Sequence, residues 1–425
     1  MRLDDKINEI YTDLSTNVTK IYSRNNLHLA IDLIYHSPQT FYFQKKKIDK
    51  GYPELLILGD TRCGKSETAK RLIQHYRLGA RASGENTSFA GLIGGLSQIR
   101  GRWRVSWGRI PLNDKRILFI DEICSLTQEQ IGAMSDVRSS GIAEINKIRI
   151  EQTHARTRLI WMSNPREKGS VSNSASGPAM IEYLIGKPED IARFDFVLIV
   201  DKREVDADAA DERRQPVVPH VYTSDLCHDL VLWAWSRTAD QVRLANATVD
   251  ACHDLGKLMC RKYSSDFPLV NTMEQKIKLA RLATSLACRL FSTDDGHNVI
   301  VKPEHVQYVH DFLNAQYDAP HFGYDLFSKR AKASESISDK EAILNMFAQW
   351  GVMVAYQFIE AQQITSKFVE EATGLEYNEA KFNMARLMRN GCLVKRHNFY
   401  VKTSAFIDLL KNFIESPREK KPDDF

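Results

Sequence analysis

The chain has 425 residues, 43% of them hydrophobic and 26% charged, with a formal net charge of +4. That composition excludes a disordered chain and allows two or three domains with their own cores, and the charge is too small to imply a nucleic-acid partner by itself. Seven scattered cysteines fit reduced thiols better than a disulfide framework, and no window approaches the ~18 apolar residues of a membrane span, so a cytoplasmic protein without a membrane partner is expected.

Residues 1–50 read as helices, with Ile7, Ile10, Tyr11 and Leu14, then Leu27, Leu29, Ala30, Leu33 and Ile34, at helical spacing. Short apolar runs predict strands over 55–58, 117–120, 159–163 and 197–200, alternating with helical patterns over 66–76 and 128–138. This alternation predicts an α/β fold with a doubly wound parallel sheet. From 223 to about 317 the pattern is helical, an all-α lid; the cysteine–histidine pairs Cys227-His228 and Cys252-His253 lack zinc-ligand spacing and read as helical core. The expected plan is a core with N-terminal helices over 1–205, a helical lid over 206–320, a linker over 321–337, a small C-terminal domain over 338–415 and a disordered tail over 416–425.

Between the first strand and the helix after it lies Gly59-Asp-Thr-Arg-Cys-Gly-Lys-Ser66, a complete G-x-x-x-x-G-K-[ST] phosphate loop. Its backbone N–H groups and the helix N-terminus suit a triphosphate; Lys65 suits the β and γ phosphates and the Ser66 hydroxyl suits Mg²⁺. Asp60, Thr61, Arg62, Cys63, Gly64 and the following Glu67 complete the predicted ATP contacts. About 55 residues on, Asp121 and Glu122 end the second apolar strand, as a magnesium-holding acid and a water-activating base should. Asn164 ends the third and is placed to orient the same water, or to cap the turn before Pro165.

The order of phosphate loop, strand-Asp-Glu, strand-Asn and then Ile191-Ala-Arg-Phe-Asp195 resembles the AAA+ ATPase core and, within it, the minichromosome maintenance (MCM) helicases. Supporting stretches are Ala82 to Leu92, similar to the family's helix-2 insert entry, Val105 to Glu122, similar to its run into the acidic strand, and His154 to Pro165, similar to its "NART…ANP" segment. Coverage runs from about Asn17 to Asn314. The resemblance implies a hexameric ring in which Arg193 acts on the neighbouring subunit's nucleotide as an arginine finger; the alternative is a structural Arg–Asp pair. It also implies that Tyr22, after Ile21, flanks the adenine. Two positions depart from the family: Thr61-Arg62 replaces Pro-Gly in the loop, and Glu274 stands where a lid arginine senses phosphate, so either Lys276 or Lys278 substitutes or the contact is absent.

The polar–apolar alternation of 144–150 predicts a hairpin whose Lys147, supported by Arg149, meets the DNA backbone if the resemblance holds, or else a solvated surface hairpin. Arg100 to Arg104 forms a second basic and aromatic cluster. The C-terminal pattern of helices and a strand pair turning at His397-Asn398 resembles a winged helix. Lys381, Arg386 and Arg389 on its second helix, and Lys395, Arg396 and Lys402 on the wing, are candidate phosphate contacts, with protein docking the alternative. The expected function is a ring-forming, ATP-driven DNA translocase or helicase acting on single-stranded or forked DNA. It would be a minimal form without the family's N-terminal oligonucleotide-binding domain, as in mobile-element or prophage replication, or a fragment. The rival is an AAA+ switch that assembles on DNA or a protein without unwinding.

Overall fold

Five short strands form the centre of the first unit in the computed structural model, which divides the chain into Met1–Asp325 and Leu326–Phe425. The structure describes residues 2–99, 102–146, 150–166, 171, 176–205, 208, 211–263, 267–328, 337, 339–361, 363–396 and 399–415. The strands are β1 (Leu55–Gly59), β2 (Ala80–Ser83), β3 (Ile117–Asp121), β4 (Arg158–Ser163) and β5 (Phe196–Val200). They pair in parallel in the order β5-β1-β4-β3-β2. Every residue of β1, β4 and β5 is buried, which is why residues 55–58, 159–162 and 196–200 read as unbroken apolar runs rather than alternating ones.

Two helices precede the sheet, α1 (Leu3–Asp13) and α2 (Asn25–Tyr35), but the expectation of helix up to residue 50 is corrected: Phe41–Phe43 and Lys46–Ile48 form an antiparallel strand pair. α2 packs on β1, β4 and β5 with Leu27 and the whole run from His28 to Tyr35 buried. α3 (Lys65–Tyr76) leaves the end of β1 and buries Thr68, Leu72 and Tyr76, a four-residue spacing that sets one face on the core. Two antiparallel hairpins project from this frame, Gly94–Ile99 with Arg102–Trp107 and Ile142–Asn146 with Ile150–His154.

The helical segment that follows contains α4 (Ser224–Trp235), α5 (Asn246–Lys262), α6 (Gln275–Arg289) and α7 (Pro303–Asp318). It is not purely helical: Val242–Leu244, expected as the end of a helix, pairs in parallel with Val299–Val301. Beneath the sheet, Glu54 is fully enclosed. Its carboxylate accepts from Arg138 Nε at 2.7 Å, Trp161 Nε1 at 2.8 Å and Lys50 Nζ at 3.0 Å. Burial alone would raise the pKa of Glu54, but the Arg138 and Lys50 charges hold it below the usual carboxylate range.

The second unit runs α8 (Lys340–Trp350), α9 (Val352–Glu360), α10 (Ser366–Thr373), α11 (Tyr377–Arg389), the antiparallel pair β6 (Leu393–Arg396) and β7 (Phe399–Lys402), and α12 (Ser404–Glu415). Gly351, at φ +91°, turns α8 into α9. Phe347, Phe358 and Phe406 meet edge to face in its core. A bridge from Ile364 to Tyr400 adds a third extended segment to the pair. The expectation that Lys402 contacts phosphate is corrected here. Its ammonium donates to the carbonyls of Phe358, Ile359 and Ala361 at 2.6–2.7 Å, closing the C-terminal end of α9, where a cation complements the helix dipole. Among the described residues no single helix is long and apolar enough to cross a membrane.

Candidate active site

Parallel register lines up the polar residues that follow the apolar strands. Leu58 of β1 is level with Ser163 of β4, and Ile120 of β3 with Trp161, so Gly59, Asn164 and Asp121 emerge side by side at the C-terminal edge of the sheet. This is where open α/β sheets take ligands. Gly59 has to be glycine: a Cβ there would lie 2.5 Å from the Val200 carbonyl oxygen. Gly64 closes the loop at φ +88°, and its carbonyl accepts the first bond of α3 from Thr68.

Lys65 is buried under the loop. Its ammonium donates to Gly59 O at 2.7 Å, Asp60 O at 2.8 Å and Asn164 Oδ1 at 3.1 Å, so all three N–H groups have acceptors. Burial pulls its pKa below the ordinary lysine value. Asp60 is itself buried, with Oδ1 accepting from Val171 N at 2.6 Å. Thr61 and Arg62 face solvent at the loop tip. Arg62 takes φ +67°, a left-handed conformation that a glycine adopts without steric cost, so the departure from Pro-Gly leaves a strained backbone position in the loop. Cys63 is buried, and burial pushes its thiol up, away from reactivity. Ser66 and Glu67 lie in the first turn of α3, half-buried. Tyr22 is also buried, and the Ile21 side chain sits 3.1 Å from where a Cβ on Gly64 would be, so this dipeptide borders the loop.

The acid pair is held from the edge strand. Arg81 Nη2 donates to Asp121 Oδ2 at 2.9 Å and Ser83 Oγ donates to Glu122 Oε2 at 2.8 Å. Glu122 is exposed and takes φ +55°, a strained value that points its carboxylate back over β2. Neither Arg81 nor Ser83 stands out in the sequence, because Ala80–Ser83 has no apolar run to mark it as a strand.

Arg193 lies elsewhere. It precedes β5, whose Phe196 is level with Leu55 and whose Val200 is level with Gly59. The length of that strand, about 13 Å over four residue steps, separates Arg193 from its own phosphate loop. Its Nε donates to Ser135 Oγ at 2.7 Å, and Ser135 donates in turn to Asp190 Oδ1 at 2.5 Å. The Arg193 side chain remains 28% exposed. Arg156 is bound to Asp114 through both Nε and Nη2, at 3.1 and 2.7 Å, and braces the 109–116 segment.

Of the two lysines expected to replace the missing lid arginine, Lys278 is excluded. It is fully buried and donates to the carbonyls of Ala192, Phe194 and Leu269 at 2.7–2.9 Å; burial brings its pKa down to about 8. Lys276, on another face of α6, lines a cleft of about 320 Å³ with Lys257 and Arg261.

The family profile for the MCM P-loop domain matches residues 3–215. The chain belongs to the minichromosome maintenance (MCM) family. It is similar to the probable DNA helicase MCM9 of Oryza sativa subsp. indica and of subsp. japonica, at 25% identity over 158 residues, which is 36% of this chain. The chain spans 22% of the length of these relatives. As an MCM P-loop ATPase domain, residues 3–215 form a nucleotide-binding module, and the loop, the acid pair and Asn164 come together at its sheet edge.

For DNA, the second hairpin forms as expected, with Asn146 opposite Ile150 at its end. Lys147 and Arg149 lie outside the described residues, as do Arg100, Gly101, His397 and Asn398, together with the side chains of Arg102 and Arg396. Trp103 and Arg104 are exposed. In the second unit Lys381, Arg386, Arg389 and Lys395 all face solvent.

Proposed function

We propose that this MCM protein is an ATP-driven DNA translocase or helicase that works as a homo-oligomeric ring, a hexamer as the resemblance implies. The observation that carries this is the separation of Arg193 from its own loop. A cation one strand length from its own loop, paired with Asp190 but still partly exposed, is placed to serve another copy's site.

In this reading ATP enters at the C-terminal sheet edge and Lys65 exchanges the carbonyls of Gly59 and Asp60 for phosphate oxygens. The Ser66 hydroxyl and the Asp121 carboxylate are hard oxygen donors of the kind Mg²⁺ takes, and would hold it; when bound, the ion neutralises charge on the phosphates. Glu122 accepts a proton from the attacking water, Asn164 orients that water, and Arg193 of an adjacent copy stabilises the charge that develops. Tyr22 borders the base. DNA passes the hairpin that carries Lys147 and Arg149. The second unit, with its two helices followed by a strand pair, reads as a winged helix that meets DNA through Lys381, Arg386, Arg389, Lys395 and Arg396.

The switch reading draws support from Lys278, whose internal bonding leaves the lid with one fewer phosphate-directed cation. DNA-stimulated ATP hydrolysis, measured with size analysis and unwinding of forked DNA, separates the two. Hydrolysis by an ATP-dependent oligomer that displaces a strand supports the motor. Hydrolysis that forked DNA does not stimulate, with no strand displaced, sinks it in favour of the switch.

A further inference from the structure

The buried stripe of α11 is Ala380, Met384 and Leu387. At about 100° per residue, the position diametrically opposite that stripe is Phe382. Its side chain is 63% exposed. Arg389 and Asn378 share this crest, Arg386 flanks it one turn on, and Lys381 lies beside it; all are exposed or nearly so. Glu379 is the acidic residue on the same side. A large apolar ring at the summit of a helix face, among three cations, has no role in folding the unit. It is also poorly suited to a duplex phosphate backbone, which asks only for charge.

The pattern of an aromatic ring between backbone-directed cations is the chemistry of single-stranded nucleic acid, in which phosphates pair with the cations and a free base lies on the ring. We propose that Phe382 stacks on an unpaired base, so that α11 is a contact for single-stranded DNA. This deepens the reading of the second unit as a DNA contact and rests on it. The arrangement assigns distinct tasks to neighbouring side chains: Lys381, Arg386 and Arg389 supply affinity that depends on salt, and Phe382 supplies affinity that depends on the presence of a base.

The test uses the full chain and two probes, a short oligothymidylate and an abasic strand of the same length with the same phosphates. The wild type is expected to bind the base-bearing strand about tenfold more tightly. Phe382→Ala should lower that ratio markedly while leaving abasic binding unchanged, and Phe382→Trp should preserve it. Removing charge at Lys381, Arg386 and Arg389 together should weaken both strands alike and reduce the salt dependence. If Phe382→Ala leaves the ratio untouched, the stacking assignment falls while the phosphate contact stands. If the triple charge variant also binds both strands as the wild type does, the second unit is not a DNA contact and both readings fall.

Discussion

Ser83 Oγ donates to a carboxylate oxygen of Glu122 at 2.8 Å, so the edge strand of the sheet restrains the acid that ends its neighbour. A general base has to face its water, and in this geometry Glu122 faces β2. Ser83→Ala should therefore raise basal ATP hydrolysis, by up to about tenfold for one charge-assisted hydrogen bond. Glu122→Gln should lower it by ~10²–10⁴. Phosphate release measured without DNA decides the matter, and a Ser83→Ala rate at or below wild type removes the restraint argument.

Arg193→Ala should fold, since the residue is partly exposed and Asp190, which loses a 3.8 Å ion pair, keeps Arg138 and Ser135 as partners, and should slow hydrolysis by about 10³ or more. The decisive form of the experiment mixes two inactive proteins, Arg193→Ala and Lys65→Ala. If each site draws on two copies, the mixture contains interfaces with an intact Lys65 and an intact Arg193, and activity returns. A mixture as inactive as its components contradicts a shared site.

Glu54→Gln should destabilise the first unit by ~1.5–3 kcal/mol, because Arg138 then keeps only its 3.7 Å pair with Asp190 as a buried counter-charge. Denaturant unfolding would show the loss as a lower midpoint at unchanged slope. A change within about 0.5 kcal/mol would mean that the stacking of Arg138 on Trp161 and Phe194 suffices to hold it.

Mild acid should weaken the fold through two imidazoles. Burial, with the Arg289 charge beside it, brings the pKa of His36 from 6.5 down to about 4, and burial does the same for His305. Between those values the unfolded chain binds protons that the folded chain refuses. Stability therefore falls as pH drops from 6.5 toward 4, by up to ~1.4 kcal/mol per pH unit for each group. His36→Gln or His305→Gln should flatten the slope of urea midpoint against pH, and a midpoint constant across this window would rule the contribution out.

What could be read from the chain follows burial. Within β1, β3, β4 and β5 the residues 55–58, 117–120, 159–162 and 196–200 are buried and apolar, so the runs are visible. β2 is an edge strand in which Ala82 alone is buried, and an edge can be polar; its pattern carries no signal, although its Arg81 and Ser83 hold Asp121 and Glu122. The hairpin from Gly94 to Trp107 was missed for a similar reason, since its first strand is Gly-Gly-Leu-Ser-Gln-Ile. Lys278 and Lys402 were misread because a buried lysine looks like an exposed one until its carbonyl partners are known. The phosphate loop needed no such context, because spacing alone carries its chemistry.

β5 has a fixed partner at each end. At one end the Asp195 carboxylate accepts from Glu54 N, and the Val200 carbonyl at the other presses on Gly59. An extended strand held in register along β1 and fixed at each end has little freedom to stretch or shorten, so it is built as a strut. In the ring proposed above, this strand would be a backbone path between the Arg193 of one copy and that copy's own phosphate loop.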